Sequence, residues 1–267
     1  MKLSIITINY NNLNGLCRTI ESVQKQSSQH FEWIIVDGAS TDGSVDAIKE
    51  IPPTSSTLQW ISEPDTGIYQ AMNKGVQRAT GDYLLFLNSG DELANDDVIK
   101  QIEESTLSAD IIIGYVNVVN NTKIIIHRHS VEGEISLYNL ILRGIPHQGV
   151  LINRSLQLTH PYDENYRINS DLKFFLQTII LENCSVQYIP LIISNYDAIG
   201  ISSTHLELQQ EERRAICEEV IPPRIWLNYK DILPHYYEVI RVQWLLQHPI
   251  LYRIYRAYVT ICRKLLK

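Results

Sequence analysis

The sequence predicts an α/β fold in which a mainly parallel sheet is flanked by helices, as in Rossmann-like domains. Within the first hundred or so residues, continuous β-branched runs alternate with segments whose apolar residues recur at helical spacing. Repeated β-α-β units of this kind give parallel strands joined by right-handed crossovers. The length of 267 residues, 45% of them hydrophobic and 20% charged, suits one large domain with a modest appendage.

In chain order, the first half alternates between strands and helices. Strands are predicted at 3–8, 33–36, 58–61 and 83–87, and helices at 16–23, 45–51, 68–79 and 98–102. Gly81 is predicted to close the third helix as its C′ residue. The second half is mixed: we predict a hairpin over 111–119 and 123–128, a helix over 137–142, and a helix over 171–181 that Ser170 caps.

Composition excludes several classes of protein. A net charge of -7 argues against a nucleic-acid binder. Four cysteines without CxxC spacing indicate reduced thiols in a cytoplasmic protein. The apolar run at the N-terminus is too short for a signal peptide, and no run approaches the length that spans a bilayer. We therefore expect a cytoplasmic protein, attached at most to a membrane surface.

Ligands of open parallel sheets bind beyond the carboxyl ends of the strands. That rule selects four loops, at residues 9–12, 37–44, 63–67 and 88–92. Three of them supply aspartates, namely Asp37, Asp42, Asp65 and Asp91. Acidic side chains gathered at one edge repel one another unless a cation or hydrogen-bond donors lie between them. No lysine follows Gly43 as in a P-loop, and no GxGxxG follows the first strand, which leaves a nucleotide-diphosphate site built from carboxylates and a metal.

The order and spacing of five segments resemble family 2 glycosyltransferases of the GT-A fold. The segments are SIITINYN (4–11), FEWIIVDGASTDGS (31–44), EPDTGIYQAMNKGVQRATGDYLLFLNSGDEL (63–93), IPHQGVLINRSL (145–156) and YRINSDLKFFLQ (166–177). Within that family the chain is similar to enzymes of bacterial capsule, exopolysaccharide and O-antigen assembly. The resemblance implies a nucleoside-diphosphate sugar as donor, with UDP as the default nucleotide, and inversion at the anomeric carbon.

The resemblance also assigns a donor site. Asp37 would accept a hydrogen bond from the imide N–H of uracil or thymine, although an aspartate before glycine also suits a turn. Asn9 and Tyr10 would flank the base or ribose, or serve a structural role. Asp65, with Gly67, would bind the ribose or donor sugar. Asn73 of the following helix is assigned to the same site.

Asp91 matches the last position of the DxD-type motif, whose carboxylate binds Mg²⁺ or Mn²⁺ and bridges to the diphosphate. This sequence departs from the family at Asn88, where the first acidic residue is missing. One carboxylate with diphosphate oxygens and water still suits magnesium. The alternative for Asp91 is a turn or N-cap residue. His205 is a further candidate metal ligand from a C-terminal loop.

Asp171 matches the position of the family's general base, which takes the proton of the acceptor hydroxyl. The alternative is an ordinary acidic residue at a helix start. His147 and Gln148 match a segment on the acceptor side, where a histidine is equally well explained as part of the core.

The last part of the chain differs from the rest. We predict a GT-A domain over 1–221, with a nucleotide-binding half (1–105) and an acceptor-side half (106–221), followed by a helical tail over 222–267. After Glu238 the chain has no acidic residue but six basic ones among aromatic and aliphatic side chains. Such a segment indicates contact between residues 239–267 and an anionic membrane surface, or packing on its own domain or a second copy.

The function that these observations predict is sugar transfer to a hydroxyl of a glycan or polyprenyl-diphosphate-linked glycan in surface polysaccharide biosynthesis. One alternative is a non-catalytic, GT-A-like protein that binds glycans or nucleotide sugars. A sugar nucleotidyltransferase is the other, but such enzymes need a basic, glycine-rich loop near the N-terminus that this chain lacks.

Overall fold

A computed structural model describes residues 2–52, 57–120, 123–127, 135–197, 205–230 and 248–265. The chain divides into two compact units, Met1–Val220 and Ile221–Lys267. A mixed sheet forms the centre of the first unit. Its strands are β1 (Leu3–Asn9), β2 (Phe31–Asp37), β3 (Thr57–Ser62), β4 (Tyr83–Phe86), β5 (Glu92–Leu93), β6 (Ile111–Asn120), β7 (Lys123–His127), β8 (Val150–Asn153) and β9 (Val186–Asp197).

The strand order is β3-β2-β1-β4-β8-β6-β9-β5, with β7 paired to β6 outside this path. The four strands predicted from the first half lie side by side and are parallel, so that prediction is confirmed. All seven residues of β1 and of β2 are buried, which explains their continuous apolar runs. In the second half, β8 pairs antiparallel with β4 and β6, while β9 runs parallel to β6.

Eight helices are described in the first unit, six of them at predicted places, whereas α6 and α8 were not predicted. They are α1 (Leu13–Gln24), α2 (Ser44–Lys49), α3 (Ile68–Arg78), α4 (Val98–Glu104), α5 (Leu137–Arg143), α6 (Arg154–Thr159), α7 (Ser170–Phe175) and α8 (Leu206–Val220). The apolar stripe of α1 packs into a core with β1 and β2, through residues such as Leu16 and Trp33. The predicted hairpin is also confirmed, because Asn120 of β6 pairs with Lys123 of β7.

Two predicted helix ends are wrong. Helix α3 ends at Arg78, and the next residue, Ala79, is already extended, so Gly81 is not its C′ residue. Gly81 instead lies against β1, where an added Cβ would stand 2.8 Å from the carbonyl oxygen of Lys2. Ser170 is the first residue of α7 rather than its cap, and its hydroxyl has no partner among the described residues. Beyond α7 the chain continues in wider π-helical turns over Leu176–Leu181.

The second unit contains two described helices, α9 (Pro223–Tyr229) and α10 (Pro249–Leu265). Along α10, the exposed side chains include Leu251, Ile254, Tyr255 and Tyr258. Arg253 and Arg256 are also exposed. Of the helices in the described parts of the chain, none is long and apolar enough to cross a membrane.

Candidate active site

The carboxyl ends of the parallel strands gather the polar residues that the sequence selected. Asn9 is the last residue of β1 and pairs with Asp37, the last residue of β2. Asp37 pairs in turn with Ser62 at the end of β3. The three side chains therefore lie in one row across the edge of the sheet.

Asp37 is fully buried, and hydrogen-bond donors surround its carboxylate. Its Oδ1 accepts from the Asn9 amide (2.8 Å) and the Ser40 hydroxyl (2.6 Å), and its Oδ2 accepts from the Ser40 backbone N–H (2.9 Å) and the Ser62 hydroxyl (2.7 Å). Burial alone would raise the pKa of Asp37, but these donors outweigh burial and the pKa lies below its ordinary value. All four lone-pair positions are occupied, so Asp37 holds the loop that follows β2 in shape.

Tyr10 and Asp65 converge on Gly38. A Cβ on Gly38 would stand 2.6 Å from Oδ2 of Asp65 and 3.1 Å from Cδ2 of Tyr10. Tyr10 is 67% exposed, whereas burial raises the pKa of Asp65. The Gly67 backbone N–H donates to Oδ1 of Asp65 at 3.1 Å. This group has an exposed aromatic ring beside a half-buried carboxylate, which is an arrangement suited to a polar ligand.

Asn73 has a different set of partners from the other candidate donor-site residues. Its amide donates to the carbonyl of Tyr162 (2.8 Å) and to Glu164 (3.1 Å), and its oxygen accepts from the Tyr162 backbone N–H (3.0 Å). Asn73 thus ties α3 to the loop that follows α6. None of these hydrogen bonds connects Asn73 to Asp37 or Asp65.

Asp91 lies in a tight turn at the end of β4. Its backbone N–H donates to the carbonyl of Asn88 (2.9 Å), and its Oδ2 accepts from the Asn88 backbone N–H (3.2 Å). Gly90 has a φ of 106°, which favours glycine at this place. Thr19 of α1 donates its hydroxyl to the carbonyl of Asp91 (2.7 Å) and accepts from the Gly90 N–H (2.9 Å).

The same turn offers oxygen atoms to a divalent cation. Within the described parts of the chain, no group of three or more His, Cys, Asp or Glu side chains is arranged to hold a metal, and His205 joins no such group. Besides the Asp91 carboxylate, Oδ1 of Asn88 is buried without a hydrogen-bond partner among the described residues. A carboxylate and an amide oxygen fit a magnesium-type ion that takes its other ligands from phosphate and water.

His147 joins Asp171 to the Asn88 turn. Its Nδ1 lies 3.2 Å from Oδ2 of Asp171, and its Nε2 lies 3.1 Å from Nδ2 of Asn88. An Asn88 amide can only donate to Nε2 if that nitrogen is unprotonated, which leaves the proton on Nδ1 facing Asp171. In that tautomer Nδ1 donates to the Asp171 carboxylate. The contact joins residues that are separated by 24 positions in the sequence.

The Asp171 carboxylate has a spare position for a proton. Its Oδ1 accepts from the Leu172 backbone N–H (2.8 Å) and lies 3.2 Å from the Tyr69 hydroxyl. His147 is the partner of Oδ2 among the described residues, and the Asp171 side chain is 20% exposed. One lone pair of Oδ2 is therefore without a protein donor from the described part of the chain. In this respect Asp171 differs from Asp37.

Sequence analysis missed two residues of this cluster, Tyr69 and the amide of Asn88. Burial raises the pKa of Tyr69 well above its ordinary value, and the charge of Asp171 adds to the effect, so the hydroxyl stays protonated. It donates to the carbonyl of Ile168 at 2.6 Å. In the sequence, Tyr69 has the pattern of an ordinary core position of a helix.

Gln148 was predicted beside His147 on the acceptor side. It is buried, and its backbone carbonyl accepts a hydrogen bond from the Ser194 hydroxyl of β9 (2.9 Å).

Comparisons with known proteins agree with this architecture. The model of the glycosyl transferase family 2 matches residues 4–162, more than half of the chain. An uncharacterized glycosyltransferase of Mycobacterium tuberculosis is 30% identical over 208 residues, which cover 75% of this chain and 77% of the relative. The chain belongs to glycosyl transferase family 2.

Further matches connect this family 2 glycosyltransferase to named proteins. The putative teichuronic acid biosynthesis glycosyltransferase TuaG of Bacillus subtilis is 37% identical over 102 residues, covering 38% of this chain and 40% of TuaG. Residues 1–349 of S. aureus TarS, solved in complex with UDP-GlcNAc, superpose with a TM-score of 0.61 at 20% identity. The match covers 74% of this chain but only 58% of that one, less than two thirds of its length.

A second solved structure is the mannosyltransferase PcManGT of Pyrobaculum calidifontis, in complex with GDP-Man and Mn²⁺. It superposes with a TM-score of 0.56 at 17% identity, covering 80% of this chain and 60% of that one. At such identities the likeness shows the fold alone. The GT-A fold expected from the sequence is confirmed.

Proposed function

We propose that this family 2 glycosyltransferase is an inverting enzyme that transfers a sugar from a UDP-sugar to a hydroxyl of a glycan or lipid-linked glycan. The proposal is carried by one observation at Asp171. A lone pair of its Oδ2 has no protein donor among the described residues, and His147 holds the carboxylate beside the Asn88–Asp91 turn. The UDP-GlcNAc bound by TarS supports a UDP-sugar donor, and the name of TuaG supports a role in surface polysaccharide biosynthesis.

In this proposal Asp171 is the general base. An inverting transfer forms the new C–O bond and breaks the bond to the diphosphate in one displacement, so the acceptor hydroxyl must lose its proton as it attacks. The free lone pair of Oδ2 takes that proton. His147 and the Leu172 N–H keep the carboxylate oriented, because each donates to a different oxygen.

The donor site is proposed at the edge formed by β1, β2 and β3. Tyr10, Asp65 and Gly67 would face the ribose or donor sugar, while Asn9 and Asp37 would shape the loop around the base. The predicted contact between Asp37 and the base imide requires one of its four present donors to be displaced. The assignment of Asn73 stays a prediction that its contacts with Tyr162 and Glu164 do not support.

A divalent cation, Mg²⁺ or Mn²⁺, is proposed beside Asp91. The Asp91 carboxylate and Oδ1 of Asn88 would hold it, and the Mn²⁺ bound in PcManGT supports this requirement. When bound, such an ion neutralises charge on the departing diphosphate.

A location at the cytoplasmic face of a membrane is part of the proposal, through residues 239–267. In the described part of that segment, Leu251, Ile254 and Tyr258 recur along α10 at spacings of three and four, and Arg253 and Arg256 lie at other angles around the helix. Vesicles containing anionic lipid should retain the wild type more than an Arg253→Glu, Arg256→Glu variant. Equal retention by neutral and anionic vesicles would refute the electrostatic contact.

Nucleotide binding tests the proposed function most directly. We would measure thermal unfolding with UDP, dTDP, GDP and CMP, with and without Mn²⁺, in the wild type and in Asp91→Ala. At about a hundred times its dissociation constant a ligand stabilises the fold by about 2.7 kcal/mol. We expect Mn²⁺-dependent stabilisation by UDP that Asp91→Ala abolishes, together with slow hydrolysis of a UDP-sugar. No response to any nucleotide would favour the non-catalytic alternative.

A further inference from the structure

Helix α8 carries two neighbouring residues of opposite charge that bind backbone groups rather than each other. Glu212 is only 8% exposed. Its Oε1 accepts from the backbone N–H of Arg167 (2.7 Å), and its Oε2 accepts from those of Ile168 (2.9 Å) and Asn169 (3.0 Å). A buried carboxylate that receives three backbone N–H groups fixes the path of the chain that supplies them.

The residues held by Glu212 lead directly to the proposed base. Asn169 precedes Asp171 by two positions, and its side-chain amide donates to the carbonyl of Gln209 in the same helix α8 (2.8 Å). The Tyr69 hydroxyl, which lies beside Asp171, donates to the carbonyl of Ile168. Each of these contacts reduces the freedom of the segment from which the Asp171 side chain projects.

Arg213, the next residue of α8, holds the segment that leads to His147. Its Nη1 donates to the carbonyls of Ile141 (2.7 Å) and Leu142 (2.8 Å), which belong to the last turn of α5. That helix ends at Arg143, and Gly144, which lies three residues before His147, follows it with a φ of 65°. The orphan carbonyls at the end of α5 thus have a cation as their partner.

We propose that Glu212 and Arg213 are positioning residues that together set the separation of His147 from Asp171. One turn of α8 binds both segments, so the distance between the two functional side chains depends on a rigid helix rather than on two loops. This inference rests on the function proposed above. A displacement of about 1 Å at such a contact lowers the rate about 100-fold.

The test compares charge-removing variants on the same helix. Glu212→Gln keeps one carbonyl oxygen for three N–H groups, and Arg213→Gln removes the cation that binds the carbonyls of Ile141 and Leu142. Glu211→Gln and Arg214→Gln are matched controls, because both residues are exposed and Arg214 pairs with Glu218 at the surface. We expect kcat to fall about 10- to 100-fold in the first two variants, with an unchanged KM for the donor and unchanged UDP stabilisation. The controls should stay within about twofold of the wild type.

A second readout does not depend on activity. In imidazole NMR of the wild type, assigned with His147→Gln, the His147 signal should report its contact with Asp171, and Glu212→Gln should change that signal as Asp171→Asn does. An unchanged imidazole signal together with unchanged kcat would overturn the inference. A loss of kcat with equally raised donor KM would also overturn it, since that indicates a general structural defect. If the wild type shows no transfer at all, the proposed function fails, while the imidazole comparison still decides the positioning role.

Discussion

Asp37, in the half with the first four parallel strands, and Asp171, in the half that follows residue 105, are held by different kinds of contact. The donors to Asp37 come from adjacent strand ends and from the residue three positions later. The side chains in contact with the Asp171 carboxylate include Tyr69, 102 positions away, and His147, 24 positions away. Asp37 has no vacant lone pair, whereas Asp171 keeps one among the described contacts.

The difference separates two uses of a carboxylate. When every lone pair has a donor, the carboxylate stabilises a loop and its charge is compensated within the protein. When one lone pair stays open and a histidine contacts the same oxygen, the carboxylate is oriented and remains available to a proton. The comparison predicts that changes at Asp171 affect the rate and that changes at Asp37 affect stability.

The largest effect is expected from Asp171→Asn. Loss of the proposed base should lower kcat by about 10²- to 10⁴-fold, because the acceptor proton would then have no recipient. Steady-state transfer assays measure the rate, and UDP-dependent thermal stabilisation should stay at the wild-type level. Asp46→Asn is the control, since Asp46 pairs with Lys49 at the surface. A comparable loss of UDP binding in Asp171→Asn would contradict the separation of base from donor site.

A smaller loss of rate, about 10- to 100-fold in kcat, is expected from His147→Gln, because the carboxylate keeps its lone pair but loses its orientation. The matched control is His160→Gln, since His160 also pairs with a carboxylate, Glu182, at 2.8 Å. Full activity of His147→Gln would show that the His147–Asp171 contact has no role in the reaction.

Asp37→Asn should lower the free energy of unfolding. The amide cannot accept four donors, and leaving buried donors unpaired costs about 1–3 kcal/mol, measurable as a shift in the urea midpoint. The folded pKa of Asp37 lies below its ordinary value of 3.8. Its stabilisation is therefore fully present above that value and is lost as the pH falls below it. The difference in the free energy of unfolding between wild type and variant should stay constant from neutral pH to about pH 5 and become smaller below about pH 4. A difference that grows below about pH 4 would contradict this account.

The smallest change is expected from Asp65→Asn, which should raise the free energy of unfolding, whereas Asp37→Asn should lower it. Burial raises the pKa of Asp65, so its stabilising contribution is present below the unfolded pKa and is lost as the pH rises through the folded value. At neutral pH the charge of the Asp65 carboxylate lowers the free energy of unfolding, and its removal should raise that free energy by less than about 1 kcal/mol. UDP-sugar binding, followed by calorimetry, should weaken in the same variant. Destabilisation would show that Asp65 has a structural role.

The sequence determined the parallel half of the fold and the four loops at its carboxyl edge. These features depend on apolar periodicity and on the order of strands, which neighbouring residues express locally. Asp37, Asp65 and Asp91 could be selected because each follows a strand. The DxD-type turn was recognised with its missing acid, although the buried amide oxygen of Asn88, the second proposed ligand, was not foreseen.

Only the tertiary structure decided how the second half completes the site. Nothing in the spacing of His147, Asp171 and Asn88 encodes their contact, because side chains tens of residues apart meet only when the elements that carry them pack. The same reason explains Gly81, whose position after a helix suggested a local cap although close approach to β1 requires a glycine there. Glu212 reads as one of several charges on a polar helix, and its burial against three backbone N–H groups depends on where that helix docks.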